Sequence, residues 1–431
     1  MTRPGSGPAA TPWQKGSDVA TNRSPLRVWL VNQYALRIDQ PGITRHATLA
    51  KYMHEHDVRT TIFASNTHYW NVADGAGEAA DPSAPTFIYT STAQVESNGV
   101  KRVLSMLSFS ARTMKAGLLQ ARRSGGPPDV VLGSSPHPFA ALAAWALAAR
   151  FRKPFVLEVR DLWPDSLIHL LGLSSRHPLI VILRWIERFL YRRARFVVTL
   201  LPGSEARIER IARRPVQTLW LPNGIDLSRV PAVVPPSDGE TFTVMYAGAH
   251  GIPNALDTIV EAAEVLHHGR EDGDSRIRFV LVGEGKEKAR LVAEAATRGL
   301  SNITFRGAVS KSTLLTLLPT ADALVITFRK TELYQSGISP NKVFDYLAAG
   351  RPVIIAVDTP LNPVAEAAAG LTIPPEDPHA LANAIRTLAL IAVSERAAYG
   401  LRGRAYAEAN HDLARSGARL AEALRSTASA S

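Results

Sequence analysis

The sequence predicts an α/β protein built from two doubly wound domains in tandem. From Leu26 onward, short apolar runs of strand length alternate with longer segments of helical period, as in parallel sheets covered by helices. The alternation stops in a proline-rich stretch at residues 227–240 and then starts again. A chain of 431 residues is long enough for two cores of ordinary domain size.

The first series of elements occupies residues 25–226. Its strand-like runs are, in order, RVWLVN, TTIFAS, DVVLGSS, PFVLEV and RFVVTLL. A helix is predicted near residues 45–54, between the first two runs. Residues 1–24 mix Pro, Gly, Ser and Thr with no apolar period and without the apolar core of a secretory signal, so we expect a disordered tail there.

The second series occupies residues 241–405. Its runs are FTVMYAGA, RFVLVGEG, ITFRG, ALVITF, PVIIAV and LTIP, with helices near 254–267 and 287–297. Residues 406–431 are helical in pattern and are expected to cross back to the first domain. Open α/β sheets bind ligands at the carboxyl ends of their strands, so two such sheets predict a site in the cleft between them.

Composition excludes several classes of protein. The chain has no cysteine, which rules out disulfides, thiolate metal sites and a cysteine nucleophile. It carries a net charge of +11, and residues 1–235 hold 29 Lys and Arg against 16 Asp and Glu, while the remainder holds 20 against 22. This asymmetry favours an anionic partner of the first domain. Nucleic acid is not favoured because no basic–aromatic recognition motif accompanies the charge.

Two glycine-containing loops follow strands of the second series. The loop YAGAHGIPN contains Gly248 and Gly251 and leads into a helix, whose free N–H groups favour a phosphate. A tight turn without a ligand is the alternative. The loop VGEGKEK brings Gly283 and Gly285 to the same edge of the sheet. The dinucleotide pattern GxGxxG is absent after the first strand, which argues against a nicotinamide cofactor.

The segment GISPNKVFDYLAAGRPVI carries the most chemistry. Ser339 and Pro340 are expected to cap and start a helix, and Lys342 and Asp345 lie three residues apart on its first turns. The lysine can hold a diphosphate, and the carboxylate can accept hydrogen bonds from sugar hydroxyls. A weak surface ion pair is the alternative, and the spacing alone favours neither.

Six segments together resemble retaining glycosyltransferases of family 4, which have the GT-B fold of two Rossmann-like domains facing across a cleft. They are GISPNKVFDYLAAGRPVI, YAGAHGIPNALDTIVEAAEVL, VGEGKEK, NITFRGAV, EVRDLWPDS and LPNGID. The likeness covers roughly residues 26–410, in the right order and spacing. More closely, the chain resembles the bacterial branch that includes N-acetyl-L-fucosamine transferases of surface-polysaccharide assembly.

The resemblance implies a site for a nucleotide-sugar donor, UDP-linked, with no other cofactor. Arg329 and Lys342 would neutralise the diphosphate, Asp345 would hold the ribose, and the backbone of residues 306–309 would read the base. The expected donor-binding residues are Gly248, His250, Gly251, Gly283, Gly285, Arg306, Gly307, Val309, Glu332, Ser339 and Asp345.

The sequence departs from the wider family in two places. Gly337 stands eight positions before Asp345, where that family has the first of two glutamates. The Arg/Lys pair that usually follows the first strand of the donor domain is missing, and His250 lies in that loop instead. Glu332 is the candidate replacement for the missing glutamate.

On the acceptor side, Asp161 of EVRDLWPDS follows a predicted strand. The resemblance places it near the donor anomeric carbon and the acceptor hydroxyl, whereas capping the helix that Pro164 begins is the structural alternative. Asp165 follows four residues later. Gly42 and Arg45, in the loop after the first strand, are expected to line the cleft.

No metal site is predicted. Residues 272–274 form a DxD pattern, but they lie between a helix and the next strand, at the edge opposite the cleft, where a solvated loop is expected. The resemblance implies retention through front-face attack, with the leaving phosphate helping to take the acceptor proton. A sugar-nucleotide epimerase and a non-catalytic nucleotide-sugar-binding subunit remain alternatives.

Two basic amphipathic segments in the first domain, residues 101–123 and 179–195, predict docking to an anionic membrane. An ordinary solvated arginine face is the alternative. No run of about 18 uncharged apolar residues occurs, so no bilayer span is expected. We therefore expect a cytoplasmic enzyme, peripheral on the inner face of the plasma membrane, with a lipid-linked or saccharide acceptor and an N-acetylated or deoxy hexose as the transferred sugar.

Overall fold

A computed structural model describes most of the chain. The described residues are 24–38, 40, 42, 44–66, 83–92, 100–135, 137–161, 163–165, 167–168, 173–236, 239–269 and 273–430. The tail predicted at residues 1–24 lies outside this set except for Ser24.

The first domain contains a parallel sheet that has seven strands within the described residues, in the order β3-β2-β1-β4-β5-β6-β7. The strands are β1 (Leu26–Val31), β2 (Val58–Ser65), β3 (Thr86–Thr90), β4 (Val130–Ser135), β5 (Phe155–Val159), β6 (Val197–Thr199) and β7 (Thr218–Trp220). Its helices are α1 (Arg45–His54), α2 (Val100–Arg123), α3 (Pro138–Phe151), α4 (Pro178–Arg193) and α5 (Glu205–Ala212). The strand order reverses between β1 and β4, as doubly wound sheets require.

The second domain repeats this plan with a six-stranded parallel sheet in its described part, in the order β10-β9-β8-β11-β12-β13. The strands are β8 (Phe242–Ala247), β9 (Ile277–Val282), β10 (Ile303–Arg306), β11 (Ala323–Thr327), β12 (Val353–Ala356) and β13 (Gly370–Ile373). The helices are α6 (Asp257–His267), α7 (Lys288–Thr297), α8 (Lys311–Leu317), α9 (Asn341–Ala348), α10 (Pro363–Glu366), α11 (Pro378–Leu390) and α12 (Val393–Asn410).

Helices cover both faces of each sheet, which explains why the central strands are largely apolar. In β1, Val28 and Leu30 enter the core shared with α1, while Trp29 and Val31 enter the core on the opposite face, shared with α3. Successive side chains of a strand point to opposite faces, so a strand covered on both sides has no polar face to show. The hydrophobic runs found in the sequence are therefore these central strands.

The two domains are joined twice. Residues 221–226 lead from the first sheet to the second domain, and α13 (Leu413–Ser429) returns to pack on α1. The crossing segments bind each other, since the amide of Ile225 donates to the carbonyl of His411 over 2.8 Å. Gly224 makes this contact possible, because a Cβ there would lie 2.1 Å from the same carbonyl oxygen. Residue 406, where the sequence placed the start of the crossing helix, lies within α12.

None of the helices in the described part of the chain combines the length and apolarity that a membrane span requires.

Candidate active site

A cavity of about 350 Å³ opens between the two domains at the carboxyl ends of β5, β6 and β11. The first domain lines it with Arg160, Asp161, Leu200, Leu201 and Asn223, and the second with Phe328, Leu333, Tyr334, Gly337, Ile338, Ser339, Pro340 and Asn341. The sequence predicted a cleft site at this position from the strand pattern alone.

Lys342 lies in the first turn of α9, beside the turn that contains Gly248. Its Nζ donates to the hydroxyl of Tyr246 over 2.9 Å and to Oδ1 of Asn254 over 2.5 Å. Its Cε would be 3.4 Å from a Cβ on Gly248. Burial lowers the pKa of Lys342 to about 7. Within the described residues the lysine is therefore held by neutral oxygen acceptors and by no carboxylate, next to the turn expected to meet a diphosphate.

The loops after β8 and β9 pack on each other through glycines. Gly283 and Gly285 have φ of +150° and +159°, and a Cβ on either would lie 1.9–2.2 Å from the carbonyl oxygens of Gly248 and His250. Only glycine fits such an approach. The structure thus gives these two glycines a role in joining the loops, and Gly251 begins the following turn with an extended backbone.

His250, in the loop after β8, is fully buried. Neither ring nitrogen has a hydrogen-bond partner in the described part of the structure, and the ring lies against Phe305 with centroids 6.2 Å apart. Burial, with Lys288 as a further contribution, lowers the pKa of His250 to about 4. The imidazole is therefore neutral and contributes no positive charge at neutral pH.

The stretch expected to read the base, which includes Arg306, Gly307 and Val309, lies next to the loop after β9. The amide of Gly283 and the Nζ of Lys288 both donate to the carbonyl of Arg306, over 3.2 and 3.0 Å. Lys288 also pairs with Glu284 over 2.6 Å. Three loops at the carboxyl edge of the second sheet are thereby brought together.

Arg329 is engaged differently from the prediction. Its guanidinium pairs with Asp257 over 2.6 Å and with Glu376 over 2.8 Å, and its Nε donates to the carbonyl of Ile252. Two carboxylates already neutralise it. The geometry makes Arg329 a brace on the outer side of the 252–254 turn, and it does not support the role of a free cation for the diphosphate.

Gly337 has no room for the missing glutamate. Its φ is +93°, and a Cβ would lie 3.0 Å from Pro202 of the first domain and 3.2 Å from Leu361. Glu332, the candidate replacement, is exposed at the start of a 3-10 turn and is not among the residues that line the cavity. The structure therefore does not support Glu332 as the group that holds the donor sugar.

Ser339 does not cap α9. The N-cap position is taken by Pro340, and the Ser339 Oγ accepts a hydrogen bond from the amide of Asn223 over 2.9 Å. The Nδ2 of Asn223 donates to the Ser339 carbonyl over 2.5 Å. The serine that was expected to cap the helix instead forms hydrogen bonds with Asn223. These bonds join the loop before α9 to the segment that connects the two domains.

Asp161 lies at the mouth of the cavity, accessible to water, and no hydrogen bond involves its carboxylate within the described residues. Enclosure by the surrounding protein raises its pKa, while Arg160 acts in the opposite direction. Asp165 forms an ion pair with Arg207 over 2.6 Å, so its carboxylate does not face the cavity as a free group. Arg207 also binds Glu187, so this cluster fixes α4 and α5 beside the Asp161 loop.

Gly42 and Arg45 line a separate cavity of about 60 Å³, together with Lys311 and Asn341 of the second domain. Arg45 is buried and donates to the carbonyls of Leu221 and Pro222 over 2.7 and 2.6 Å. It is also paired with the buried Glu158. The structure therefore gives Arg45 a bracing role on the interdomain segment, and it does not support a direct acceptor contact.

Eleven of the thirteen residues that line the main cavity were not among the predicted site residues, and four of the eleven have polar side chains: Arg160, Asn223, Tyr334 and Asn341. Arg160 and Asn223 belong to EVRDLWPDS and LPNGID, two of the segments that carry the family resemblance. That membership could have identified both residues as candidates for the site. Tyr334 comes from a turn with no periodic pattern. Its ring lies 5.0 Å from that of Phe328, and burial raises its pKa to about 12.

The DxD pattern lies only partly within the described residues, which include Gly273 and Asp274. Asp274 is buried and receives two hydrogen bonds of 2.9 Å from Arg386, which replaces the solvated loop that the sequence predicted. Asp272 lies outside the described residues. Among the residues that the structure describes, no group of three His, Asp or Glu side chains is arranged to hold a metal ion.

Solved structures with the same architecture define the class of fold. Sucrose-phosphate synthase from Thermosynechococcus elongatus superimposes with a TM-score of 0.73 at 17% identity, covering 95% of this chain and 100% of that chain. WaaG, a glycosyltransferase involved in lipopolysaccharide biosynthesis, gives 0.63 at 16% identity, with 93% and 99% covered. Anabaena HepE in complex with UDP and glucose gives 0.66 at 15% identity, with 93% and 100% covered. The fold is GT-B, as predicted.

Sequence comparison gives the family. Residues 42–224 match the family described as "Glycosyl transferase 4-like domain", and residues 241–390 match "Glycosyl transferases group 1". The "Putative colanic acid biosynthesis glycosyl transferase WcaI" of Escherichia coli K12 is 25% identical over 310 residues, which is 68% of this chain and 73% of WcaI. The chain belongs to the family 4 glycosyltransferases of the GT-B fold.

Proposed function

We propose that the protein transfers a hexose from a UDP-sugar to a membrane-associated glycolipid or polysaccharide precursor, with retention of the anomeric configuration. The observation that carries this proposal is the place of Lys342, which adjoins the Gly248 turn and directly follows Asn341 in the cavity wall. Asp161 lines the same cavity from the other domain. Lys342, for the leaving diphosphate, therefore adjoins a residue of the cavity wall, and Asp161, for the acceptor side, lines that wall from the other domain.

The similar structures support UDP as the nucleotide. HepE has been solved in complex with UDP-glucose, and the structure titled "Trehalose-6-phosphate from E. coli" is bound with UDP-2-fluoro glucose. The name of WcaI links that relative to colanic acid, a polysaccharide, which supports an acceptor in polysaccharide assembly. We infer no cofactor beyond the nucleotide sugar itself.

In the proposed mechanism, negative charge grows on the diphosphate as the C1–O bond breaks. Fixed cations and N–H dipoles aimed at that charge lower the barrier. Lys342 supplies the cation, and the amides of the Gly248 turn supply dipoles. The leaving phosphate assists removal of the acceptor proton on the same face, which retains the configuration. Domain closure over the donor excludes water and limits hydrolysis.

The cavity wall supports an N-acetylated or deoxy sugar, as in the fucosamine-transferring branch that the sequence resembles. Leu200, Leu201, Phe328 and Leu333 are apolar, and the wider family's glutamate is replaced by Gly337. A methyl group, as at the deoxy position of such a sugar, loses less hydration than a hydroxyl on entering such a wall. The loss of the family's glutamate at Gly337 also favours a second candidate function. In that case the protein would be a subunit that binds nucleotide sugars without turning them over.

The test is a transfer assay with the purified full chain, a panel of UDP-sugars and a bacterial membrane-lipid extract. We expect the labelled sugar to move to the lipid fraction with release of UDP, fastest for an N-acetylated or deoxy sugar. Isomerised donor without any acceptor product would support an epimerase. Nucleotide binding without turnover of any donor would support the non-catalytic subunit and contradict the proposal.

We further propose that the first domain docks on an anionic membrane through α4, which would keep the enzyme peripheral on the inner face of the plasma membrane. The outer side of α4 exposes Trp185 and Ile182, at 65% and 54%. The Trp185 and Phe189 rings are stacked with centroids 5.5 Å apart, and Arg193 lies over Phe189. Aromatic and aliphatic side chains flanked by arginines are typical of interfacial helices.

Helix α2 lies on the same face of the sheet, where α3 packs against both α2 and α4. In the basic amphipathic segment 101–123, Met106 and Phe109 face the core, while Leu107 and Leu118 are exposed. The basic residues Lys101, Arg112 and Lys115 are exposed on the same helix. Each basic residue near an anionic leaflet contributes about 1 kcal/mol, so a few suffice for reversible docking.

Replacing Trp185 by glutamate is expected to weaken binding to vesicles of anionic phospholipid at least tenfold, because it removes apolar area and adds repulsion at the centre of the surface. Leu401→Glu is the matched control, since Leu401 is 57% exposed on α12 of the second domain. Co-sedimentation with vesicles at two salt concentrations measures both. Equal binding by the two variants would show that α4 is an ordinary solvated face.

A further inference from the structure

Arg160 places a charged side chain in the wall of the main cavity. It is half-buried, and it is the one cationic residue among the described residues that line this cavity. Its backbone amide donates to the Oγ of Ser135 over 3.4 Å, but within the described residues the guanidinium forms no hydrogen bond and no ion pair. Its Nη1 is enclosed by protein and lacks a partner. Leaving such an N–H unsatisfied costs free energy, so the position favours a ligand that accepts hydrogen bonds.

The carboxylates closest to Arg160 along the chain do not satisfy it. Glu158 is buried, and its carboxylate is already paired with Arg45 over 3.3 Å and bonded to His46 over 2.6 Å. Asp161 follows directly in sequence, yet Arg160 acts on it through charge alone, without a hydrogen bond. Four of the charged residues predicted for the site are paired: Arg45 with Glu158, Asp165 with Arg207, Arg329 with Asp257 and Glu376, and Asp345 with Lys311.

The position of Arg160 in the fold places its ligand on the acceptor side. It follows β5 of the first domain, in the same loop as Asp161, whereas Lys342 beside the Gly248 turn belongs to the second domain. Consecutive Cα atoms are about 3.8 Å apart, so Arg160 and Asp161 can contact neighbouring groups of one small ligand. The guanidinium fork matches the oxygens of a phosphoryl group through two parallel hydrogen bonds. A neutral saccharide would leave the charge of Arg160 unpaired.

We propose that Arg160 binds a phosphoryl group on the sugar that accepts the transferred residue, while Asp161 faces the hydroxyl of that sugar. The inference rests on the proposed function and deepens it, because it assigns an acceptor-binding residue and the chemistry that this residue recognises. The residues of the second domain that line the cavity are uncharged, so Arg160 supplies the positive charge in its described wall. The excess of basic residues in the first domain favours the approach of an anionic acceptor.

The experiment offers a panel of sugars as matched pairs of acceptors. Each sugar is attached to an octyl chain either through a phosphodiester at C1 or directly, as a neutral octyl glycoside, and release of UDP from the preferred donor gives kcat/KM. In the wild type, the phosphodiester is expected to be favoured about 10–100-fold, the range for hydrogen bonds to a charged group. In Arg160→Met, this preference should largely disappear while the donor KM stays unchanged. Arg160→Lys should keep part of it, because the charge remains but the fork is lost.

Arg59→Met is the matched control, because Arg59 is exposed near the amino end of β2, away from the carboxyl edge that holds the cavity. It should show the wild-type preference. Arg160→Gln serves as a second neutral variant if Arg160→Met does not fold. If the neutral variants keep the wild-type preference, the inference fails while the proposed function stands. If they weaken the binding of UDP as much as the use of the phosphodiester, the guanidinium serves the donor diphosphate and the inference is overturned.

A binding measurement separates this inference from the proposed function. With UDP at saturation, the wild type is expected to bind glucose 1-phosphate at least about tenfold more tightly than glucose, and Arg160→Met should bind both equally weakly. If the wild type transfers sugar to no acceptor but shows this difference, the proposed function fails and the phosphoryl site at Arg160 stands. If it neither transfers sugar nor distinguishes the two ligands, both fail together.

Discussion

Replacing Lys342 by methionine is expected to lower the rate constant of sugar transfer by about 10²–10³-fold, the usual effect of removing one group that stabilises developing charge. The methionine keeps the length and the apolar stem of the side chain but removes the ammonium next to the Gly248 turn. Among the described residues, its hydrogen-bond partners are the oxygens of Tyr246 and Asn254, and no carboxylate competes for it. Steady-state release of UDP with the preferred donor measures the effect.

The matched control is Lys330→Met, because Lys330 is an exposed lysine of the same domain. Its loss is expected to change the rate less than threefold. A similar fall in both variants would mean that the charge of the domain as a whole, and not the position of Lys342, matters. An unchanged rate in Lys342→Met would remove the central support for the proposed site.

The same lysine sets a pH dependence. Its pKa is lowered to about 7 in the free protein, and a bound diphosphate favours the protonated form. Nucleotide affinity should therefore be constant with respect to this group below pH 7 and should fall by up to tenfold per pH unit above it. In Lys342→Arg, whose charge does not titrate in this range, the decline should be absent.

Replacing Asp161 by asparagine is expected to lower the transfer rate by about 10²-fold or more with little change in the donor KM, the range found when a positioned carboxylate that handles a proton or a developing charge is removed. The substitution keeps the shape of the side chain, and the Asp161 carboxylate has no hydrogen bond within the described residues that would be lost. The effect should therefore appear in kcat and not in stability.

Asp165→Asn provides the contrast. Asp165 lies four residues later and pairs with Arg207, so its loss should lower the melting temperature through the Arg207–Glu187 cluster while leaving most of the rate. Thermal unfolding and the transfer assay together separate the two variants. If Asp161→Asn lost stability and Asp165→Asn lost rate, the two assignments would have to be exchanged.

The strand and helix pattern was readable because both sheets are parallel and covered on both faces. The predicted helix near 45–54 coincides with α1, and the apolar runs of the second series fall on its strands. The short strands β3 and β7 were not identified. Each has at most five residues and lies at an edge of the sheet, where burial imposes no continuous apolar run.

The site was predicted less completely than the fold. Strand ends predicted that the Gly248 loop and Asp161 lie at the carboxyl edges of the two sheets, where a cleft was expected. Of the predicted site residues, Asp161 and Ser339 line the main cavity, and Lys342 directly follows the cavity residue Asn341. Nothing in the local sequence shows that Arg329 is neutralised by Asp257 and Glu376, which are 72 and 47 residues away. Residue type indicates what a side chain can do, but its partners decide whether it is available.

The amino-acid sequence by itself determined two doubly wound domains, a cleft between them and the family, because periodicity and segment order are local properties of the chain. Only the tertiary structure decided that Ser339 binds Asn223, that Arg45 braces the interdomain segment, and that Lys311 reaches Asp345. These contacts join residues 34 to 177 positions apart. Such pairs are set by how sheets and helices pack, and no spacing along the chain encodes them.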